Sequence, residues 1–217
     1  MPAWTPPERP PRSGDYAPFW RLAAALTEVR VFRLRIMGRS GWIKLLDTLG
    51  KPLGVELSGF DAFTWNGTVH LAERLFGTRA GYLVLRHEAV HLLDQQRLGP
   101  LPFIIAYLLL PLPAVITLRA LFEWRGYRET LRAYRERSPK LARRRAEKLV
   151  RQFASGRYLF MWPFRRAVEG WIERELARLE SSGGRAPRGL EELERLTAAA
   201  PQGEGGDSLP GPPSIID

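Results

Sequence analysis

The chain has three histidines in 217 residues, and two of them stand four apart in "LRHEAVHLLDQ" (Leu85–Gln95), with Glu88 directly after the first. On a helix, His87 and His91 lie one turn apart on the same side. Two imidazoles so placed reach a single ion with tetrahedral geometry, the way zinc takes nitrogen ligands. Glu88 projects about 100° further round the helix. It can stand beside the metal without ligating it and act as a base toward water. A chain of this composition would hold about 0.004 His-Glu-x-x-His matches by chance. The plain alternative, a solvated polar stripe, has no need of histidine twice in a histidine-poor chain.

A catalytic zinc site needs a third protein ligand and a position left for water. No histidine follows His91, and His70 lies upstream in a predicted hairpin. With no cysteine in the chain, the remaining donors are carboxylates on a later helix, predicted over Ala114 to Arg137. In "LRALFEWRGYRETLRAY", Glu123 sits among Leu121, Phe122 and Trp124, so it is the acid expected to be carried inward. A buried glutamate is costly unless paired or metal-bound. An intrahelical pair with Arg119 or Tyr127 is the plain alternative for Glu123. Glu129 is the second candidate ligand, and Glu136 follows it.

These residues need elements to position them. Thr78 to Leu98 reads as one helix, capped by Thr78 and ended by Gly99-Pro100. Tyr82, Leu85, Ala89, Leu92 and Leu93 form its core face, and His87, His91, Asp94 and Gln95 occupy another. Ahead of it, "VRVFRLRI" alternates apolar residues with arginine as a half-buried strand does. "VELSGF", "AFTW" and "TVHLA" are further strand candidates, and Asn66-Gly67 between the last two is a hairpin turn signal. The expected fold is α+β: a mostly helical domain with a small antiparallel sheet before the histidine helix.

The wording of these motifs resembles a known group. His87-Glu88-x-x-His91 with a downstream glutamate is similar to the gluzincin branch of zinc metallopeptidases. "HEAVHLLDQQ" followed by a helix with "FEWRGYRE" also resembles small, poorly characterised bacterial metallopeptidase domains. The resemblance covers about Val55 to Arg137, and its sharp part is the first motif. It implies a zincin-like fold, zinc held by His87, His91 and Glu123, Glu88 as general base, and a peptide or protein substrate. Gluzincins usually carry Asp four residues after the ligand Glu; here that position is Tyr127. A tyrosine hydroxyl there could accept an imidazole N–H or stabilise an oxyanion.

From Leu98 to Leu118 the chain runs 21 residues without a charge, between Arg97 and Arg119. That length suits a membrane span, but Pro100, Pro102, Pro111 and Pro113 interrupt it. One crossing would also place Glu123 across the bilayer from His91. The run is therefore expected to double back near Pro111-Leu112-Pro113 as a buried hairpin, with membrane-surface insertion as the alternative. Two amphipathic helices follow, "SPKLARRRAEKLVRQF" and "RRAVEGWIERELARLE". The aromatic-rich "ASGRYLFMWPF" between them reads as a lid on the core, or as an interfacial anchor through Trp162 and Phe164 beside Arg165 and Arg166.

The net charge is +10, which fits acidic partners such as an anionic membrane met peripherally. The basic stretch Arg143–Lys148 reads as a solvated face, so nucleic acid is a weak reading. Residues 1–15 form a proline-rich arm without the apolar region of a signal peptide. One domain is expected over 16–180, and 181–217 read as linker and disordered tail with a short helix in "LEELERLTAAA". The expected location is cytoplasmic, with membrane association at most peripheral. The expected activity is zinc-dependent hydrolysis of peptide bonds. The alternative is a non-catalytic membrane-surface or scaffold protein that keeps a structural zinc site.

Overall fold

Alternation decides which side chains of the sheet point inward. In a computed structural model, which describes residues 11–28, 33–36, 48, 61–108, 116–154, 164–187 and 189–198, "RLRI" forms strand β1 (Arg33–Ile36). Leu34 and Ile36 are buried there, while Arg33 is exposed and Arg35 only partly covered. Strands β2 (Ala62–Trp65) and β3 (Thr68–Leu71) flank Asn66 and Gly67. These two adopt φ of 45° and 73°, the paired positive values that a two-residue hairpin turn requires. Val69, His70 and Leu71 are all buried, as suits the central strand of the order β1-β3-β2.

The expected antiparallel sheet is mixed. β2 pairs with β3 antiparallel, but β1 pairs with β3 in parallel, with Leu34 opposite Val69 and Ile36 opposite Leu71. The two-residue turn leaves β2 no other direction. The connection from Ile36 to Ala62 is long enough for a crossover, so β1 can enter parallel. The α+β class holds. The strand expected over 55–60, the turn near Pro111, the aromatic stretch through Pro163 and the two termini (1–10 and 199–217) lie outside the described residues.

The chain divides into two units, Met1–Leu92 with Arg195–Asp217, and Leu93–Glu194. In the first, helix α1 (Ala17–Glu28) precedes the sheet and brings Phe19 and Leu22 to full burial. The Phe19 ring lies 6.1 Å from Phe76 and 5.0 Å from Trp20. The Trp20 indole N–H donates to Asp15 at 2.9 Å. Helix α2 (Arg79–Leu98) starts at Thr78, whose hydroxyl accepts the Gly81 N–H at 3.0 Å, as an N-cap should. Its Tyr82, Leu85, Ala89 and Val90 are buried, and the Tyr82 ring stands edge-on to Tyr16.

The second unit is helical. After α2 ends at Gly99 (φ +83°) come α3 (Pro100–Leu108), α4 (Ile116–Arg137), α5 (Pro139–Ala154) and α6 (Arg165–Ser181). Helix α7 (Glu191–Ala198) starts at the end of this unit. Buried residues recur at helical spacing: Ala142, Ala146, Leu149 and Phe153 on α5, and Val168, Ile172, Leu176 and Leu179 on α6. α4 packs against α3, α5 and α6. Two outcomes differ from the sequence expectation. Leu98, Leu101 and Ile105 are exposed, so the described part of the apolar run is not wholly buried. Phe164 is 66% exposed and no part of a core lid. Among the described residues, no helix is long and apolar enough to cross a membrane.

Gly81 is held by space as well as by the cap. A Cβ there would sit 1.8 Å from the Leu75 carbonyl oxygen, a backbone atom that cannot rotate away. Helix propensity alone favours alanine by about 1 kcal/mol. Gly81→Ala is nonetheless expected to destabilise the protein by about 1–3 kcal/mol through overpacking, read as a lower midpoint in urea unfolding. A raised midpoint would contradict the close approach of Leu75 to α2.

Candidate metal centre

Because α2 is unbroken from Arg79 to Leu98, the spacing of its histidines becomes geometry. The His87 and His91 rings lie 5.0 Å apart, inclined at 76°, and their Nε2 atoms are 3.2 Å apart. Tetrahedral zinc with bonds of about 2.0–2.1 Å has ligand atoms about 3.3 Å apart. The two nitrogens can therefore share a proton or, when both are unprotonated, a cation. His91 is buried and His87 partly so. Glu123 on α4 is also buried. One donor atom from each of His87, His91 and Glu123 lies within 4.8 Å of the other two. Two imidazole nitrogens and one carboxylate oxygen are a donor set that catalytic zinc accepts, so the residues fit the metal.

The chain matches no family model, no curated protein and no solved structure. The assignment of each residue rests on its own surroundings.

Glu88 is buried on α2, and its carboxylate accepts a hydrogen bond from the Thr64 hydroxyl on β2. The sheet thus holds one oxygen of the acid between the histidines. Glu129, the second candidate ligand, is outside the metal group. It is fully buried and bound by Arg132 through two N–H donors at 2.8 and 2.9 Å. Glu136 joins the same arginine at 3.0 Å. His70 is buried on β3, opposite Arg35 and Phe63 in register, and is likewise outside the group. Tyr127 is buried one turn beyond Glu123, its ring edge-on to Phe153 at 5.3 Å.

Thr64, Arg125 and Arg86 escaped the sequence reading. Thr64 carried a faint signal, a hydroxyl on the alternating face of a strand. Asp94 was legible as polar, but its partner was not. Arg125 of α4 donates Nε to one Asp94 oxygen at 3.1 Å, and its Nη2 lies 2.9 Å from the other. Asp94 is one turn after His91, and Arg125 is two residues after Glu123. Arg86 is 0% exposed beside His87, with its guanidinium 5.6 Å from the Tyr82 ring centre. No sequence pattern distinguishes it from the surface arginines.

Asp61 lies at the start of the hairpin that carries Thr64. It is buried, its backbone oxygen accepts the Ala72 N–H at 2.9 Å, and its carboxylate pairs with Arg74. Burial pushes its carboxyl above the ordinary value of 3.8, more strongly than Arg74 pulls it down. A raised folded-state pKa means that the native state holds this proton more tightly than the unfolded chain. The stabilisation is present below the unfolded value and is lost as pH rises through the folded one. Wild type should therefore lose stability relative to Asp61→Asn between about pH 3.5 and 7, compared by urea unfolding at both values. The opposite slope would mean that the Arg74 pair outweighs burial.

Thr64 holds one carboxylate oxygen of Glu88. Thr64→Val should lower stability by about 1–3 kcal/mol, the cost of removing a hydrogen-bond donor from a buried carboxyl, read as a lower midpoint in urea unfolding. Thr64→Ser should restore it. Equal loss in both variants would assign Thr64 to packing alone.

Proposed function

We propose that this protein is a gluzincin-like zinc metallopeptidase acting on peptide or protein substrates in the cytoplasm. The observation that supports the reading is the convergence of three donors, His87, His91 and Glu123, in a chain with only three histidines. When bound, zinc supplies a Lewis acid that polarises the scissile carbonyl and acidifies water. Glu88 takes the proton of the attacking water as the oxygen–carbon bond forms. As the carbon–nitrogen bond breaks, Glu88 returns that proton to the departing amine nitrogen. The hydrogen bond from Thr64 keeps the Glu88 carboxylate oriented through both transfers. Tyr127, in the position where gluzincins usually carry an aspartate, is assigned to steadying an imidazole N–H or the developing oxyanion.

A second reading is favoured by that same departure at Tyr127. In it the same donors hold a structural zinc in a non-catalytic scaffold or membrane-surface protein. The two readings separate on turnover. The purified chain is expected to carry one zinc and to cleave a denatured protein. A chelator should abolish cleavage and added zinc should restore it. Glu88→Gln should keep the metal and lower the rate by about 10²–10⁴-fold. Glu123→Ala should lose zinc as His91→Ala does, while Glu129→Gln keeps it. Loss of zinc in Glu88→Gln would make Glu88 a ligand. Full zinc with no cleavage of any denatured substrate would leave the structural reading.

A further inference from the structure

Charge and exposed apolar surface collect in the same half of the chain. Residues 93–194 hold 20 Lys and Arg against 12 Asp and Glu, so this unit carries +8 of the chain's +10. The six large apolar side chains exposed among the described residues, Leu98, Leu101, Ile105, Leu118, Leu121 and Phe164, all belong to it as well. Five of them fall between residues 98 and 121. Scattered exposed leucines need no explanation, but a cluster beside a strong positive charge does.

Helix geometry shows how these residues are presented. Leu101 and Ile105 are four apart and share one face of α3. Phe103, midway between them, points about 200° away from each. Its ring is buried 4.8 Å from Phe122 of α4. The inner face of α3 is therefore fastened to α4, and the outer face is left with Leu101 68% and Ile105 41% exposed. Leu118 and Leu121 share a face of α4 in the same way, and Leu98 ends α2. Arg97 directly precedes Leu98, and Arg119 directly follows Leu118. With nine residues, α3 is about 13 Å long, less than half of a bilayer core of about 30 Å.

We propose that this face rests on an anionic lipid bilayer, with α3 lying in the plane of the interface. Leu98, Leu101, Ile105, Leu118 and Leu121 enter the acyl boundary, and Arg97 and Arg119 stay at the level of the phosphates. Charge selects the lipid over a second copy of the chain. A copy would bring +8 against +8, whereas an anionic surface attracts the unit. The attachment does not use the metal site, so it stands or falls apart from the zinc reading.

The test is co-sedimentation of the full chain with vesicles of phosphatidylcholine alone and of phosphatidylcholine mixed with phosphatidylglycerol. The chain should bind the mixed vesicles at least about tenfold more tightly, and added salt should weaken binding without abolishing it. Leu101→Ser with Ile105→Ser should weaken it about tenfold further while zinc content and helical circular dichroism stay unchanged. Leu118→Ser with Leu121→Ser is the companion variant on α4. Because the chain has no cysteine of its own, an environment-sensitive dye on a single cysteine at position 101 gives a second reading. Its emission should shift to the blue on mixed vesicles. Equal binding by both serine pairs and wild type, or an unshifted dye, would overturn the proposal. So would a stable dimer in light scattering that ignores vesicles.

Discussion

The Asp94–Arg125 ion pair ties the last turns of α2 to α4, the helix that carries Glu123. A carboxylate that is 4% exposed is strongly destabilising without a cation, and Arg125 meets both of its oxygens. The pair holds α4 against the last turns of α2 two residues beyond Glu123. Helices are stiff over such distances, so the setting of Arg125 also sets Glu123, two residues earlier.

The other buried carboxylates show how selectively the chain treats its acids. Glu129 is closed by Arg132, Glu175 by Arg128 and Arg178, and Asp61 by Arg74. Each such pair answers the cost of burying a charge with a guanidinium. The Glu88 carboxylate accepts a hydrogen bond from the Thr64 hydroxyl. Glu123 lies with the imidazoles of His87 and His91.

Much of this was legible in the sequence, for local reasons. The histidine helix, its Thr78 cap, its stop at Gly99 and the Asn66-Gly67 turn are written in residues a few positions apart, where backbone preference acts directly. The choice of Glu123 over Glu129 followed from its apolar neighbours and agrees with the grouping of donors. The direction of β1 was not legible, because alternation specifies a face but not a pairing partner. Nor were the Thr64–Glu88 and Asp94–Arg125 contacts, which join residues 24 and 31 positions apart. The apolar run was misjudged where it was taken as buried. Hydrophobicity states a preference for leaving water but does not name the surface that meets it.

The corner at Gly99 joins these themes. One residue in a left-handed conformation, followed by a proline whose φ is fixed, separates the helix that carries the histidines from the apolar helix. The Phe103 N–H closes the corner onto the Gly99 carbonyl at 3.1 Å. The direction in which the apolar helix leaves α2 is therefore set by a backbone conformation that a residue without a side chain adopts at no steric cost.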